Sequence, residues 1–244
     1  MDYLNFSGKT VLVVGGSSGI GNAISHAFLD AGAKVHVWGT RASAADYAAD
    51  AGSDMSGLNY DQMDVSDFAA IEAYTPPFDS LDVLVCCQGL VLYNRAEFKT
   101  AVFRQVVDVN LNSLMACAEK FHDMLAAAKG SVILVSSTAA FHSTRGNPAY
   151  NASKTGAMGL TRVLGDAWAR DGIRVNGIAP GLVDTKMTKV TTDNPERLAG
   201  ALEGIPMRRL GRPEEMGTVA LFLASPMASY ILGQTIPVDG GGIL

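Results

Sequence analysis

Short apolar runs alternate along this chain with longer stretches in which apolar residues return every three or four positions. Val11-Leu12-Val13-Val14 is a continuous apolar run of strand length. After it, Ile20, Ala23, Ile24, Ala27 and Phe28 recur at helical spacing. The same alternation predicts a second strand over 33–38, an alanine-rich helix over 42–51, a short strand over 58–63 and a helix from Ser66. A fourth strand follows at 81–86, then a long helical region over 97–128 with a break near Val109 and Asn110. Residues 131–135 read as a fifth strand, and a helix carrying Tyr150, Leu160, Val163, Leu164 and Trp168 leads to a sixth at 173–178. Strands alternating with helices imply a parallel, doubly wound α/β sheet with right-handed crossovers. Ligands in such sheets bind beyond the carboxyl ends of the strands, where Gly15, Asp64, Cys87, Ser137 and Pro180 all fall.

Two local patterns carry chemistry. The first strand runs directly into Gly15-Gly16-Ser17-Ser18-Gly19-Ile20-Gly21 and a helix. A turn of this kind aims backbone N–H groups and a helix N-terminus at one point, an anion site suited to pyrophosphate. Its spacing is G-x3-G-x-G rather than G-x-G-x-x-G, and the competing reading is an ordinary Gly/Ser turn. The second pattern is Tyr150 and Lys154, at i and i+4 on one helix face, with Ser137 upstream. An ammonium beside a phenol favours the phenolate and lowers its pKa, which makes Tyr150 a usable acid or base. The Ser137 hydroxyl suits the oxygen of an alcohol or carbonyl substrate. A tyrosine–lysine pair alone also arises by chance on an amphipathic helix.

Composition narrows the field. The chain has 244 residues, 48% hydrophobic and 18% charged, with net charge −5 and scattered basic residues, which disfavours a nucleic-acid or anionic-membrane surface. No run approaches a membrane span, and the N-terminus does not resemble a signal peptide. Cys86, Cys87 and Cys117 lack metal-ligand spacing, so no metal site is expected, and reduced thiols point to the cytoplasm. Without linker, repeat or low-complexity segment, one domain over 1–244 is expected.

With those residues in place the whole chain resembles a classical short-chain dehydrogenase/reductase, a family built on a single Rossmann-type doubly wound parallel sheet flanked by helices. Gly15, Gly19 and Gly21 match its cofactor motif, and Asn110, Ser137, Tyr150 and Lys154 match its catalytic tetrad in order and spacing. Asp64-Val65 resembles the adenine-contacting pair, and Pro180-Gly181 through Val183 and Thr185 the segment that holds the nicotinamide. Arg209 through Glu215 and the ending from Gly233 to Gly241 are also similar. The chain departs from the family at Val14, where threonine is usual, and at Cys86-Cys87-Gln88-Gly89, which replaces Asn-Asn-Ala-Gly.

The resemblance implies an NAD(P)-dependent oxidoreductase acting on a secondary alcohol or ketone. Tyr150 is then the general acid/base, Ser137 binds the reacting oxygen, Lys154 tunes Tyr150 and holds ribose hydroxyls, and Asn110 supports a water relay. Read without the family, Asn110 is a polar residue at a helix kink, while His142 and Arg145 lie in the loop between Ser137 and Tyr150, where His142 is either a second acid or base or a side chain at the cleft mouth. The implied cofactor contacts are Gly15, Ser17, Ser18, Gly19, Ile20, Gly21, Thr40, Arg41, Asp64, Val65, Cys87, Gln88, Gly89, Tyr150, Lys154, Pro180, Gly181, Val183 and Thr185. Gly39 stands where NAD-preferring members carry an acid, and Thr40 and Arg41 follow, so NADP(H) is favoured with NAD(H) possible. Leu90, Val91, Leu92, Ala139, Phe141 and Leu182 suggest an apolar substrate pocket, and about 186–205 a mobile lid. Val102, Val106, Leu114, Leu160, Val163 and Trp168 look surplus to one helix face, and Ala220 through Leu223 with Ile231 and Leu232 supply a second apolar surface. With the resemblance, these predict a homo-oligomer, a tetramer with two-fold axes. Two other readings are a non-catalytic dinucleotide sensor or scaffold, which would be expected to lose Tyr150, Lys154 or Ser137, and a lyase or epimerase on the same cofactor.

Overall fold

Seven strands were found in the computed structural model, which describes residues 3–244. They are β1 (Thr10–Val14), β2 (Lys34–Gly39), β3 (Asn59–Gln62), β4 (Val83–Cys86), β5 (Ser131–Val135), β6 (Arg174–Pro180) and β7 (Thr235–Val238). All pair in parallel in the order β3-β2-β1-β4-β5-β6-β7. The helices are α1 (Gly19–Asp30), α2 (Phe68–Ala73), α3 (Thr100–Val107), α4 (Ser113–Ala128), α5 (Pro148–Trp168), α6 (Lys189–Thr192), α7 (Pro195–Glu203) and α8 (Pro213–Ala224).

Alternate residues of each strand feed opposite faces of the sheet, because successive side chains point opposite ways. Leu12, Val14, Leu84, Cys86, Val132 and Leu134 pack with Leu114, Cys117 and Phe121 of α4 and Leu164 of α5. Val11, Val13, Val83, Val85 and Ile133 pack with Ile24 and Phe28 of α1 and Met216, Ala220 and Leu223 of α8. Burial on both faces is why the central strands β1, β4 and β5 read as near-continuous apolar runs. The order reverses between β1 and β4, and that switch point opens the crevice for the site.

Three expectations change. The predicted helix over 42–51 is only a 3₁₀ turn, Ala44–Tyr47, after which the chain loops back through Gly52 and Gly57, both at positive φ. Tertiary bonds override alanine's helix propensity there: the Gly19 N–H donates to the Gly52 carbonyl at 2.8 Å, drawing the loop onto the start of α1. The seventh strand was not anticipated, since its half-exposed residues pair only at a sheet edge. Val106, Leu114, Ala220 and Leu223 are fully buried within the subunit, so they are not surplus; Val163, by contrast, is 64% exposed. The break anticipated near Val109 is a π-helical turn, Asp108–Asn112, between α3 and α4.

Candidate active site

The carboxyl ends of the strands surround a cavity of about 720 Å³. Gly15, Ser17, Ser18, Gly19, Ile20, Gly21, Thr40, Asp64, Val65, Cys87, Gln88, Gly89, Ser137, Tyr150, Lys154, Pro180, Gly181, Val183 and Thr185 all line it. Close backbone approach explains the first and last glycines of the motif. Gly15 has φ +77°, and a Cβ there would lie 2.9 Å from the Gln88 nitrogen; one on Gly21 would lie 2.1 Å from the Gly15 carbonyl oxygen. Helix α1 starts without a side-chain cap from Ser18 and without an acid in its first turn, so its amino end remains open to an anion. Cradle, helix end and cavity size together fit a dinucleotide.

On the other wall, Ser137 lies two residues beyond β5, and its hydroxyl accepts from the Ala139 N–H at 3.1 Å and is close enough to bond the Tyr150 phenol. Lys154 is buried, and its Nζ donates to the Val135 carbonyl at 2.9 Å while lying 5.8 Å from the centre of the Tyr150 ring. These positions correct one expectation. Burial pushes the Tyr150 phenol above its ordinary pKa, with the Ser137 hydrogen bond opposing, rather than Lys154 drawing it down. Burial also lowers the Lys154 ammonium to about 8, because the charged form loses its water.

Asn110 sits in the π turn and does not line the cavity. Its side chain clamps the backbone of Leu90, accepting from the N–H at 2.6 Å and donating to the carbonyl at 2.8 Å, and it donates to Ser153 Oγ at 3.2 Å. Gln88 meets the cavity, but its side chain is buried and donates to Ser113 Oγ at 2.9 Å. Cys86 lies beside Cys117 in the core, both as free thiols.

Arg41 departs from its expected place. It is absent from the cavity wall; its guanidinium bonds Asp50 Oδ2 at 2.5 Å and the Asp46 carbonyl, and stacks over Tyr47. Of the six proposed apolar pocket residues only Leu90 lines the cavity. Leu92 is held by its N–H on Glu97, Phe141 is 42% exposed, and Val91, Ala139 and Leu182 contribute nothing to the wall. His142 is an exposed loop residue whose carbonyl accepts from Asn151 Nδ2 at 2.8 Å.

Two side chains tied to the site escaped the sequence. Glu97 is fully buried, and its carboxylate accepts from the Tyr150 N–H at 2.9 Å and the Leu92 N–H at 3.0 Å. It joins the segment that follows Leu90 to the helix carrying Tyr150, more than fifty residues from Glu97 along the chain, a contact that no local pattern encodes. Asp50 lines the cleft from the loop after β2. The segment expected to form a lid consists of a 3₁₀ turn, Lys186–Thr188, followed by α6 and α7, and the Tyr93 hydroxyl donates to the Met187 carbonyl at 3.1 Å.

A doubly wound parallel sheet with a glycine cradle at its switch point and a serine–tyrosine–lysine cluster opposite defines a dinucleotide-linked oxidoreductase class. Comparisons agree. A family model described as Enoyl-(Acyl carrier protein) reductase matches residues 14–242. The chain is 36% identical over 244 residues to 3-oxoacyl-[acyl-carrier-protein] reductase of Chlamydia trachomatis, covering 96% of each. It is 35% identical over 252 residues to 2-dehydro-3-deoxy-D-gluconate 5-dehydrogenase of Pseudoalteromonas atlantica, covering 99% of this chain and 98% of that one. The NADP active-site complex of Pseudomonas aeruginosa RhlG is similar over the full length of both chains, with TM-score 0.89 and 30% identity. This chain belongs to the short-chain dehydrogenase/reductase family, whose members are NAD(P)-dependent oxidoreductases.

Proposed function

We propose that this protein catalyses reversible hydride transfer between NADP(H), with NAD(H) accepted less well, and a secondary alcohol or ketone. The observation that carries this reading is the convergence of Ser137, Tyr150 and Lys154 on the same cavity as the glycine cradle. When bound, the nicotinamide supplies or accepts the hydride. The chain supplies orientation and the proton. Tyr150 gives its proton to the substrate oxygen in reduction and takes it back in oxidation, and its raised pKa keeps the phenol protonated and ready to donate at neutral pH. Ser137 holds the same oxygen, and Lys154 holds the ribose hydroxyls. Asn110 acts by clamping Leu90 and shaping the π turn beside the cleft.

Retention of all three cleft side chains argues against a sensor or scaffold. The NADP complex of RhlG and the lack of an acid at Gly39 support NADP(H). The relatives are named for a 3-oxoacyl-[acyl-carrier-protein] and for 2-dehydro-3-deoxy-D-gluconate, so a carbonyl or hydroxyl compound bearing an acyl or acidic group is the first class to screen. We read 1–244 as one domain with 186–205 as its lid, and place it in the cytoplasm on its three free thiols. No described helix is long and apolar enough to cross a membrane. Exposed Val163 and Met115, together with the half-buried Phe222 and Leu232, support a two-fold symmetric homo-oligomer, a tetramer. The test is Tyr150→Phe, which removes only the hydroxyl: turnover should fall by at least about a hundredfold with cofactor affinity retained. Near-normal kcat in that variant would sink the assignment.

A further inference from the structure

The cofactor cleft contains a carboxylate that the end of β2 does not provide. Position 39 is glycine, and a Cβ there would lie 2.6 Å from the Tyr47 hydroxyl and 2.7 Å from Ser17 Oγ, so both side chains would have to shift to admit a carboxylate. Asp50 reaches the same wall from the following loop and lines the cavity beside Gly39 and Thr40. Its position is held, because Gly52, two residues on, accepts from the Gly19 N–H of the glycine turn at 2.8 Å. Asp50 Oδ2 takes two cations at once, Arg41 Nη2 at 2.5 Å and Lys186 Nζ at 3.4 Å. Arg41 is the residue that would otherwise meet a 2′-phosphate, and Lys186 opens the lid segment.

We propose that Asp50 sets the cofactor discrimination of this protein, by holding Arg41 and Lys186 as its own counter-ions and so weakening their hold on the 2′-phosphate of NADP(H). The inference rests on the dinucleotide reading above. The charges decide the direction. Two cations facing one carboxylate leave a single net positive charge to meet a phosphate of about −2. Removing the carboxylate leaves two positive charges and removes a like-charge neighbour. NADH carries no 2′-phosphate and is indifferent to most of this change. Discrimination thus sits in a residue of the loop after β2, outside the strand end itself. Burial opposes ionisation of Asp50, but the hydrogen bond and charge of Arg41, and then Lys186, hold its carboxyl below the ordinary carboxylate pKa, so it is charged at neutral pH.

The experiment measures dissociation constants for NADPH and NADH by the fluorescence of the reduced nicotinamide, without substrate, at low ionic strength. Wild type, Asp50→Asn, Asp50→Asn/Arg41→Ala and Lys186→Gln are compared, each first checked for cooperative thermal unfolding. Asp50→Asn should tighten NADPH about tenfold, the effect of one unit charge at close range in a partly solvated site, and move NADH less than threefold. The gain should disappear in the double variant and shrink in 0.5 M salt. Lys186→Gln, which leaves the Arg41 contact in place, should weaken NADPH selectively. An NADPH-to-NADH ratio unchanged in Asp50→Asn, or shifted toward NADH, overturns the inference and leaves the cofactor reading intact. Wild-type protein that binds neither dinucleotide overturns the cofactor reading and this inference with it.

Discussion

Replacing Glu97 with glutamine separates the stability of the catalytic helix from the position of its tyrosine. Helix α5 begins with Asn147 as its cap residue and Pro148 at its first position, and Asn147 makes no capping bond of its own. Glu97 does that work from another segment: Oε2 accepts from the Tyr150 N–H at 2.9 Å, and Oε1 accepts from Leu92 N–H at 3.0 Å and Asn147 Nδ2 at 3.3 Å. It also sets a negative charge at the positive end of a 21-residue helix. In Glu97→Gln one carboxylate oxygen becomes an NH₂ that faces donors. At least one buried N–H is then unpaired, costing about 1–3 kcal/mol. Loss of the charge at the helix end costs about 1–2 kcal/mol more. A total of ~2–5 kcal/mol is a large part of the ~5–15 kcal/mol that holds a domain together, yet leaves it folded. Tyr150 stands at the third helical position, so fraying of this first turn displaces the phenol directly. A shift of ~1 Å at a reacting group can cost about a hundredfold in rate. Urea unfolding should show the loss of stability, while kcat with saturating cofactor should fall roughly ten- to a hundredfold. Cofactor affinity should move little, because the glycine cradle is built on β1 and α1. A variant that loses the stability but keeps wild-type kcat would show that Glu97 supports the helix without placing Tyr150.

Two further outcomes follow from buried and exposed groups. His36 lies buried in β2 against Phe78, and neither ring nitrogen has a hydrogen-bond partner among the described residues. Burial, then the charge of Lys34, pushes its pKa below 6.5, with Asp61 opposing, so the unfolded chain takes up a proton that the folded one refuses. Stability is therefore lost as pH falls below about 6.5, by up to ~1.4 kcal/mol per pH unit until the folded pKa is reached. His36→Leu should remove that acid-side slope between pH 7.5 and 5.5 in urea titrations; an unchanged slope would place the titration elsewhere. For assembly, sedimentation of native protein should give a multiple of the subunit mass, and Val163→Glu should reduce it; a wild-type monomer would refute the oligomer.

The cofactor half of the site was more legible than the catalytic half. Strand, glycine turn and helix are consecutive in the chain, so Gly15 and Gly21 announce the cradle locally. Ser137, Tyr150 and Lys154 were readable as residues, but the electrostatics of the pair were not. Proximity of i and i+4 suggested a lowered phenol pKa, whereas burial in the cleft pushes it up, against the Ser137 hydrogen bond. Arg41 shows the same limit: the sequence places a guanidinium after β2, and only the fold sets Asp50 against it.

Residue order determined the alternation of β-strands and helices, because a period of two or near 3.6 is a property of neighbours along the chain and of the faces they present. It determined the two-sided burial of the sheet for the same reason, since strands apolar at successive positions must be covered on both faces. Tertiary structure decided the rest. Pairing at the edge made a strand of Thr235–Val238. An alanine-rich segment became a 3₁₀ turn and a loop bonded through Gly52 to Gly19 instead of a helix. Packing of α3 and α4 against the core buried Val106 and Leu114, which a single helix would have shown to solvent. Glu97 reached Tyr150, and Asp50 reached Arg41 and Lys186, only because folding brought distant segments within hydrogen-bonding range, where burial strengthens a charge's hold on its partners.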